Sequence, residues 1–153
     1  MGIEKEFPEN YFRNERHKSL ANVLFSASWI VQQMKQILEG EDLTPQQYNI
    51  LRILQSVKQP LFMGRIRELM LDKMSDTSRI IERLVKKNLV IKESKKGDKR
   101  KVAVSISEKG LTLLDSLHEK YEITDSMANH LSQSERNELN NLLDKLREQP
   151  AGK

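Results

Sequence analysis

The fold of this chain is most constrained by one short amphipathic segment that is followed at once by two apolar segments around a basic turn. Residues 76–87 place apolar side chains at the 3.6-residue period of a helix with one inner face, at Ile80, Ile81, Leu84 and Val85. Residues 89–93 and 101–106 then have the pattern of two paired strands around the loop 95–100. Asn88 separates helix from strand, and Asn tolerates the left-handed backbone that ends many helices. The sequence therefore predicts a helix and a hairpin in direct succession.

Two further helices are predicted before this segment. Thr44, Pro45 and Gln47 are the residue types of a capped helix start, because Thr44 and Gln47 can form a capping box and Pro45 suits the first turn. Residues 64–71 predict a short helix, and residues 72–75 link it to the helix that follows. Two short helices with a tight link and a basic hairpin form a winged helix-turn-helix, in which the second short helix enters the major groove of DNA.

Long helices are predicted at both ends of the chain. Residues 1–10 predict a polar arm, and residues 11–38 predict a helix with one buried apolar face. Ser107 is expected to cap a helix that continues to about Met127, and Ser132 is expected to cap the last helix. The predicted fold class is therefore mainly α, with about six helices and a small antiparallel β hairpin as the wing.

Charge is concentrated in the predicted helix-turn-helix and wing. The net charge of the 153 residues is +4. Residues 65–101 contain 13 Lys and Arg against 6 Asp and Glu, whereas the rest of the chain contains 13 against 16. Clustered cations between acidic flanks are typical of a surface that neutralises phosphates, although lysine-rich segments are also common on ordinary solvated surfaces.

Several other classes of protein are disfavoured. The chain has no cysteine, which excludes disulfides and thiolate metal sites. No apolar run approaches the roughly 18 residues that span a bilayer, and the first residues lack the regions of a signal peptide, so we expect a cytoplasmic protein with no membrane partner. A phosphate-binding glycine loop is absent. His118 and Glu122 have i, i+4 spacing, but His17 and His130 add no recognised ligand spacing, so we predict no enzyme activity, catalytic residue, metal or cofactor.

Three stretches resemble the MarR family of bacterial transcriptional regulators. They are the helix start at Thr44–Tyr48, the segment SDTSRIIERLVKKNLV at Ser75–Val90, and GDKRKVAVSISEKG at Gly97–Gly110. Asn88 and Ser107 stand where family members commonly have Gly and Thr, and both keep the same chemistry. The resemblance implies a single MarR-type domain over residues 1–153. Its winged-helix DNA-binding lobe spans about 42–107, and its helical dimerisation regions span about 11–40 and 108–148.

The predicted DNA contacts on the helix-turn-helix come from the first turns of its two short helices. Arg79 can bind guanine in a bidentate fork, whereas Asp76 either accepts from cytosine or caps its own helix. Gly64 and Arg65 open the preceding helix, where backbone N–H groups and a cation suit a phosphate. The other candidate residues of the second helix are Ser75 and Ser78 near its start, and Arg83 further along.

In the wing, the resemblance implies one inserted residue and one residue that holds it. Arg100 matches the family position that enters the minor groove, where narrow A·T-rich stretches attract a guanidinium, and Asp98 matches the residue that braces it. The remaining wing cations are expected to meet phosphates; they are Lys95, Lys96, Lys99 and Lys101. The alternative is a hairpin whose lysines only prevent edge-to-edge aggregation.

The resemblance also implies partners. Family members form two-fold dimers through their terminal helices, so we expect a homodimer on a pseudo-palindromic double-stranded DNA site, acting by repression. Many relatives release DNA on binding a small aromatic or anionic effector between the dimer helices and the DNA-binding lobe. The candidate contacts here are Arg16, His17, Phe25, Trp29 and Tyr48, although aromatic residues on an apolar stripe are more often core.

A different class of function stays open. A winged helix can also be a protein- or RNA-interaction module without operator specificity. An RNA-binding version would need aromatic rings on which bases stack, and residues 65–101 contain no Phe, Tyr or Trp. A protein-binding version would not need the Asp98 and Arg100 pair, and its binding would depend little on salt.

Overall fold

The helices begin where capping residues can satisfy their first backbone N–H groups. The structure is a computed structural model that describes residues 2–94, 97, 98 and 101–148, and these form two compact units divided after Leu117. The first unit contains a short 3₁₀ helix at Ile3–Glu6 and five α-helices. They are α1 (Glu15–Ile37), α2 (Pro45–Val57), α3 (Met63–Leu69), α4 (Thr77–Lys86) and α5 (Glu108–Ser116).

Local signals set the bounds of α2, α4 and α5. Thr44 and Gln47 form the predicted capping box of α2. Asn88 has the left-handed φ of 60° just after α4, as predicted. The Ser107 hydroxyl accepts from the Gly110 N–H at the start of α5. These three bounds confirm the sequence prediction to within a residue or two.

The first fourteen residues differ from the predicted polar arm. Asn14 caps α1 through the His17 N–H, so the helix starts at Glu15 rather than at residue 11. The residues before it place aromatic rings against each other, with Phe7 stacked on Tyr11 at a centroid distance of 4.5 Å and edge-on to Phe25 of α1 at 5.6 Å. The arm is therefore partly apolar, and its rings cover the start of α1.

The predicted buried face of α1 is wrong for this single chain. No residue of α1 is buried, and its apolar side chains are largely exposed. Within its unit, α1 contacts α2, which covers too little of the helix to bury its apolar stripe.

The structure contains a three-stranded antiparallel sheet, rather than the predicted two-stranded hairpin. The strands are β1 (Leu61–Phe62), β2 (Val90–Ser94) and β3 (Val102–Ile106), in the order β1-β3-β2. The hairpin of β2 and β3 is confirmed, whereas β1 was not predicted because two residues carry no period. In register, Leu61 pairs with Val104 on the side of β3 away from β2.

The core of the first unit lies where α2, α3, α4 and the sheet meet. Its fully buried apolar side chains come from each of these elements. They include Ile50, Leu51, Leu54, Ile66, Ile81, Leu84 and Val104. This arrangement of a helix pair, a packed supporting helix and a hairpin is a winged helix-turn-helix.

The predicted helix from Ser107 to about Met127 is two helices. Helix α5 ends at Ser116, because the Leu117 N–H bonds to the Leu114 carbonyl in a tightened i→i+3 turn. The second unit contains α6 (His118–Ser126) and α7 (Gln133–Arg147). In α7, Ser132 and Glu135 form the predicted capping box, and hydrogen bonds from Ser132 lower the pKa of the Glu135 carboxyl.

Candidate nucleic-acid interface

Helix α4 presents its cations outward from a buried apolar face. Ile81 and Leu84 are fully buried, whereas Arg79 and Arg83 are exposed. Among the described residues, neither arginine side chain forms a hydrogen bond or an ion pair. The helix therefore offers two guanidinium groups that an anionic or acceptor-rich partner can bind without displacing a protein contact.

The first turn of α4 is capped by its own sequence. Asp76 Oδ1 accepts from the Arg79 N–H at 3.2 Å, so the carboxylate caps the helix. Ser78 is half-buried one residue before Arg79. The Ser75 hydroxyl oxygen is buried and has no hydrogen-bond partner among the described residues.

The turn between α3 and α4 is held in place by hydrogen bonds to other elements. Asn49 of α2 accepts from the Leu71 N–H at 2.9 Å, and Lys73 donates to the Glu68 carbonyl of α3. Asp72 accepts from the Met74 N–H at 3.0 Å. Asn49 was not singled out from the sequence, although a polar residue among apolar positions of α2 is a signal that could have indicated it. The start of α4 is thereby fixed relative to the core.

The predicted phosphate contacts at the start of α3 are exposed. Gly64 has open space around its α-carbon, and the Arg65 guanidinium is paired with Glu68 at 2.8 Å. An exposed i, i+3 pair of this kind contributes little to stability, so the guanidinium can exchange it for a phosphate at small cost.

The wing is described at its strands and, between them, at Gly97, Asp98 and Lys101. Gly97 has a φ of 95°, a backbone conformation that favours glycine, and the Lys101 N–H donates to the Asp98 carbonyl at 3.2 Å. Lys101 is exposed. The predicted contacts Lys95, Lys96, Lys99 and Arg100 lie outside the described residues.

The far end of α4 is tied to two neighbouring elements, which the sequence did not indicate. Lys87 Nζ donates to the Asp42 carbonyl and, at 3.1 Å, to Gln47 Oε1 at the start of α2. Lys109 Nζ donates to the Lys87 carbonyl at 3.0 Å. These bonds join residues 22 to 45 positions apart, and no local pattern encodes such contacts.

The predicted effector residues are not gathered into one cavity. Tyr48 is buried in α2, whereas Arg16 and Trp29 are exposed on α1, and His17 lies against Tyr11 and Phe12. A groove of about 790 Å³ lies elsewhere, lined by the end of α1, the corner before α2, and the second half of α4. Its cations are Lys35, Arg83, Lys86 and Lys87.

Two other features are absent from the described part of the chain. No group of three or more His, Asp or Glu side chains is placed to hold a metal ion. None of the described helices combines the length and the apolar character needed to cross a membrane.

Comparison with known proteins connects this geometry to a family. A family model described as "MarR family" matches residues 41–101, which run from the corner before α2 to the end of the wing turn. No curated protein matches the chain.

Solved structures share the fold along most of the chain. A MarR transcription factor from Planctomyces limnophilus is 28% identical, with a TM-score of 0.63, over 82% of this chain and 93% of that one. The organohalide-sensing regulator RdhR-CbdbA1625, solved with 2,4-dichlorophenol, is 22% identical, with a TM-score of 0.79. The match covers 92% of this chain and 85% of that one. MepR from S. aureus, solved with DNA, is 21% identical, with a TM-score of 0.72. The match covers 84% of this chain and 94% of that one. The chain is therefore similar to the MarR family across the winged-helix lobe, and it shares the fold of solved MarR-type structures along most of its length.

Proposed function

We propose that the protein is a transcriptional regulator that binds double-stranded DNA at a specific operator. The observation that carries this proposal is α4, which follows a fixed turn and exposes two arginines that have no protein partner among the described residues. An arginine in the major groove can donate two hydrogen bonds to guanine, a contact that discriminates by about 1–3 kcal/mol. We assign base contacts to Arg79 and Ser78, and phosphate contacts to Arg83 and the wing lysines.

The wing completes the proposed DNA contact. Arg100 enters the minor groove with Asp98 as its brace, and the net charge of +7 over residues 65–101 attracts the phosphates. The relative MepR, solved as a complex with DNA, supports this use of the fold. A non-enzymatic role on chromosomal DNA places the protein in the cytoplasm.

The operator is pseudo-palindromic and the protein binds it as a homodimer. The exposed apolar stripe of α1 supports the dimer, because exposed apolar faces of this size mark interaction surfaces. We assign the DNA-binding lobe to residues 42–107, and the dimerisation regions to residues 11–40 and 108–148. Two lobes related by a two-fold axis reach half-sites about 34–36 Å apart.

Repression is relieved by a small aromatic or anionic effector. The relative RdhR-CbdbA1625, solved with 2,4-dichlorophenol, supports an effector of this class. We assign the effector contacts to Arg16, His17, Phe25 and Trp29 of α1 and to Tyr48 of α2. An effector releases DNA only if it binds more tightly to the dimer whose half-site spacing does not fit the operator.

Selection of bound duplexes from a random DNA pool tests the proposal directly. We expect the recovered sequences to share an inverted repeat with the half-site spacing given above, and their affinity to fall steeply with added salt. Recovery of no common motif would instead favour a winged helix that binds protein or RNA, and binding that salt barely changes would favour the protein-binding version.

A further inference from the structure

The turn between α3 and α4 exposes two large apolar side chains next to the proposed base-reading helix. Met74 is 93% exposed and Leu71 is 83% exposed, which are the highest values among the large apolar residues of the described chain. Single exposed apolar residues are normal on protein surfaces. Two of them within four positions, directly before a recognition helix, are unusual enough to require a cause.

The backbone of the turn fixes where these side chains point. Hydrogen bonds from the Leu71 N–H to Asn49 and from the Met74 N–H to Asp72 hold both ends of the turn. The Ser75 N–H also donates to the Asp72 carbonyl at 3.2 Å. Met70, which lies just before the turn, is buried, so an apolar side chain at this end of α3 already packs in the core. The exposure of Met74 is therefore a property of a constrained backbone.

The polar side chains around Met74 are turned to the protein itself. Asp72 and Asp76 accept from backbone N–H groups, and Lys73 donates to the Glu68 carbonyl. The Ser75 hydroxyl oxygen is buried. Of the five side chains from 72 to 76, only that of Met74 has no such internal role, and it extends outward three residues before α4 begins.

We propose that Met74 reads a thymine by packing against its 5-methyl group. This inference rests on the proposed function, since it requires the start of α4 to lie in the major groove. There, base edges present hydrogen-bond donors and acceptors, and the thymine methyl is the apolar feature that they offer. An unbranched thioether adapts its shape to such a small apolar target. Met74 is thus a specificity-determining residue that adds apolar recognition to the polar contacts of Arg79.

The test replaces thymines of the selected operator one at a time by deoxyuridine, which removes only the methyl group. For the wild-type protein we expect one thymine in each half-site at which this replacement weakens binding about fourfold, the loss that corresponds to one buried methyl group. For Met74→Gln, which keeps the length of the side chain but not its apolar character, we expect no loss at the same thymine.

Leu71→Gln is the matched control, because it removes an equally exposed apolar side chain from the same turn. We expect this variant to keep the fourfold sensitivity. Equal thermal midpoints of the three proteins would establish that they are folded. The inference is overturned if no thymine is sensitive, if Met74→Gln remains sensitive, or if only Leu71→Gln loses sensitivity. A selection that recovers no DNA motif would overturn the proposed function as well, whereas a bound operator without methyl sensitivity would overturn this inference alone.

Discussion

Gly110 shows how one residue brings the wing and α5 together. A Cβ at this position would collide with the Leu89 carbonyl oxygen and lie 2.7 Å from Ile106 Cγ1. The residue is the glycine of the Ser-Glu-x-Gly stretch that resembles the family pattern. Its role here is steric, because α5 packs directly on the start of β2 and the end of β3.

We therefore expect Gly110→Ala to lower the free energy of unfolding by about 1–3 kcal/mol, the usual range for overpacking a tight site. Urea denaturation monitored by circular dichroism measures the change. Gly64→Ala is the control, because Gly64 also lies in a first helical turn but has nothing within 4 Å of the added carbon. Equal effects of the two substitutions would contradict a steric role for Gly110.

Arg100 is the residue that the proposed minor-groove contact requires. We expect Arg100→Ala to weaken operator binding markedly without a change in folding, because the guanidinium is attracted to narrow A·T-rich grooves. A gel-shift titration measures the affinity. Lys96→Ala is the comparison. It should weaken binding to all sequences alike and reduce the slope of log affinity against log salt by about one unit. Unchanged affinity of Arg100→Ala would refute the proposed insertion.

At the scale of elements, α4 is secured at both ends. Asp76 caps its first turn, and Lys87 anchors its last turn to the corner before α2. The Lys87 ammonium lies 3.5 Å from Asp42 Oδ2, so the anchor includes an ion pair. Lys109 of α5 adds a bond to the Lys87 carbonyl. Helix α4 is therefore braced by α2 and α5 independently of its buried apolar face.

We expect Lys87→Met to destabilise the protein by about 2 kcal/mol, because its ammonium donates two hydrogen bonds and each typically contributes about 1 kcal/mol net. Lys86→Met is the matched control, since Lys86 is exposed and makes no hydrogen bond or ion pair among the described residues. Its effect should stay within about 0.5 kcal/mol. Urea denaturation of both variants measures the difference. Equal midpoint urea concentrations would contradict a stabilising role for the Lys87 contacts.

At the scale of the whole molecule, the exposed apolar residues of α1 need a partner. Leu24 is 72% exposed, and Leu20, Phe25 and Trp29 are also exposed on this helix. In the second unit, α7 likewise exposes Leu139, Leu142 and Leu146. Side chains of this kind on long helices are costly to leave in water, which is the physical basis of the proposed homodimer.

Sedimentation velocity at micromolar concentration should therefore show dimers. Leu24→Asp should shift the population toward monomers, because it places a charge in the proposed interface. Gln32→Glu, at an exposed polar position of the same helix, should leave the dimer intact. Wild-type protein that sediments only as a monomer would argue against this assembly.

Local chemistry explains which parts of the fold could be predicted. The capping residues Thr44 and Ser107 accept hydrogen bonds from N–H groups three positions further along the chain. The starts of their helices could therefore be predicted from local sequence. The end of α5 at Ser116 was missed because the apolar period continues through Leu117. Strand β1 was missed because Leu61 is defined by its pairing with Val104, 43 positions away.

The same distinction between local and distant contacts explains which residues of the candidate site could be predicted. Arg79 and Asp76 could be placed from the period of α4 and its cap. Asn49 and Lys87 could not, since their partners are distant in sequence. The exposure of Met74 was also beyond sequence reasoning, because apolar residues are expected inside until a backbone shows otherwise.

The central position of β3 has a consequence for the relative placement of the two parts of the proposed DNA contact. Helix α3 follows β1 without an intervening residue, and the wing continues from β2, so the two parts of the proposed DNA contact are attached to opposite edges of one strand. A slip of one residue in either pairing would displace them by about 3.4 Å along the strand. Successive bases of a DNA strand are also about 3.4 Å apart. The pairing of Leu61 with Val104 thus sets the relative position of the two parts of the proposed DNA contact to within about one base step.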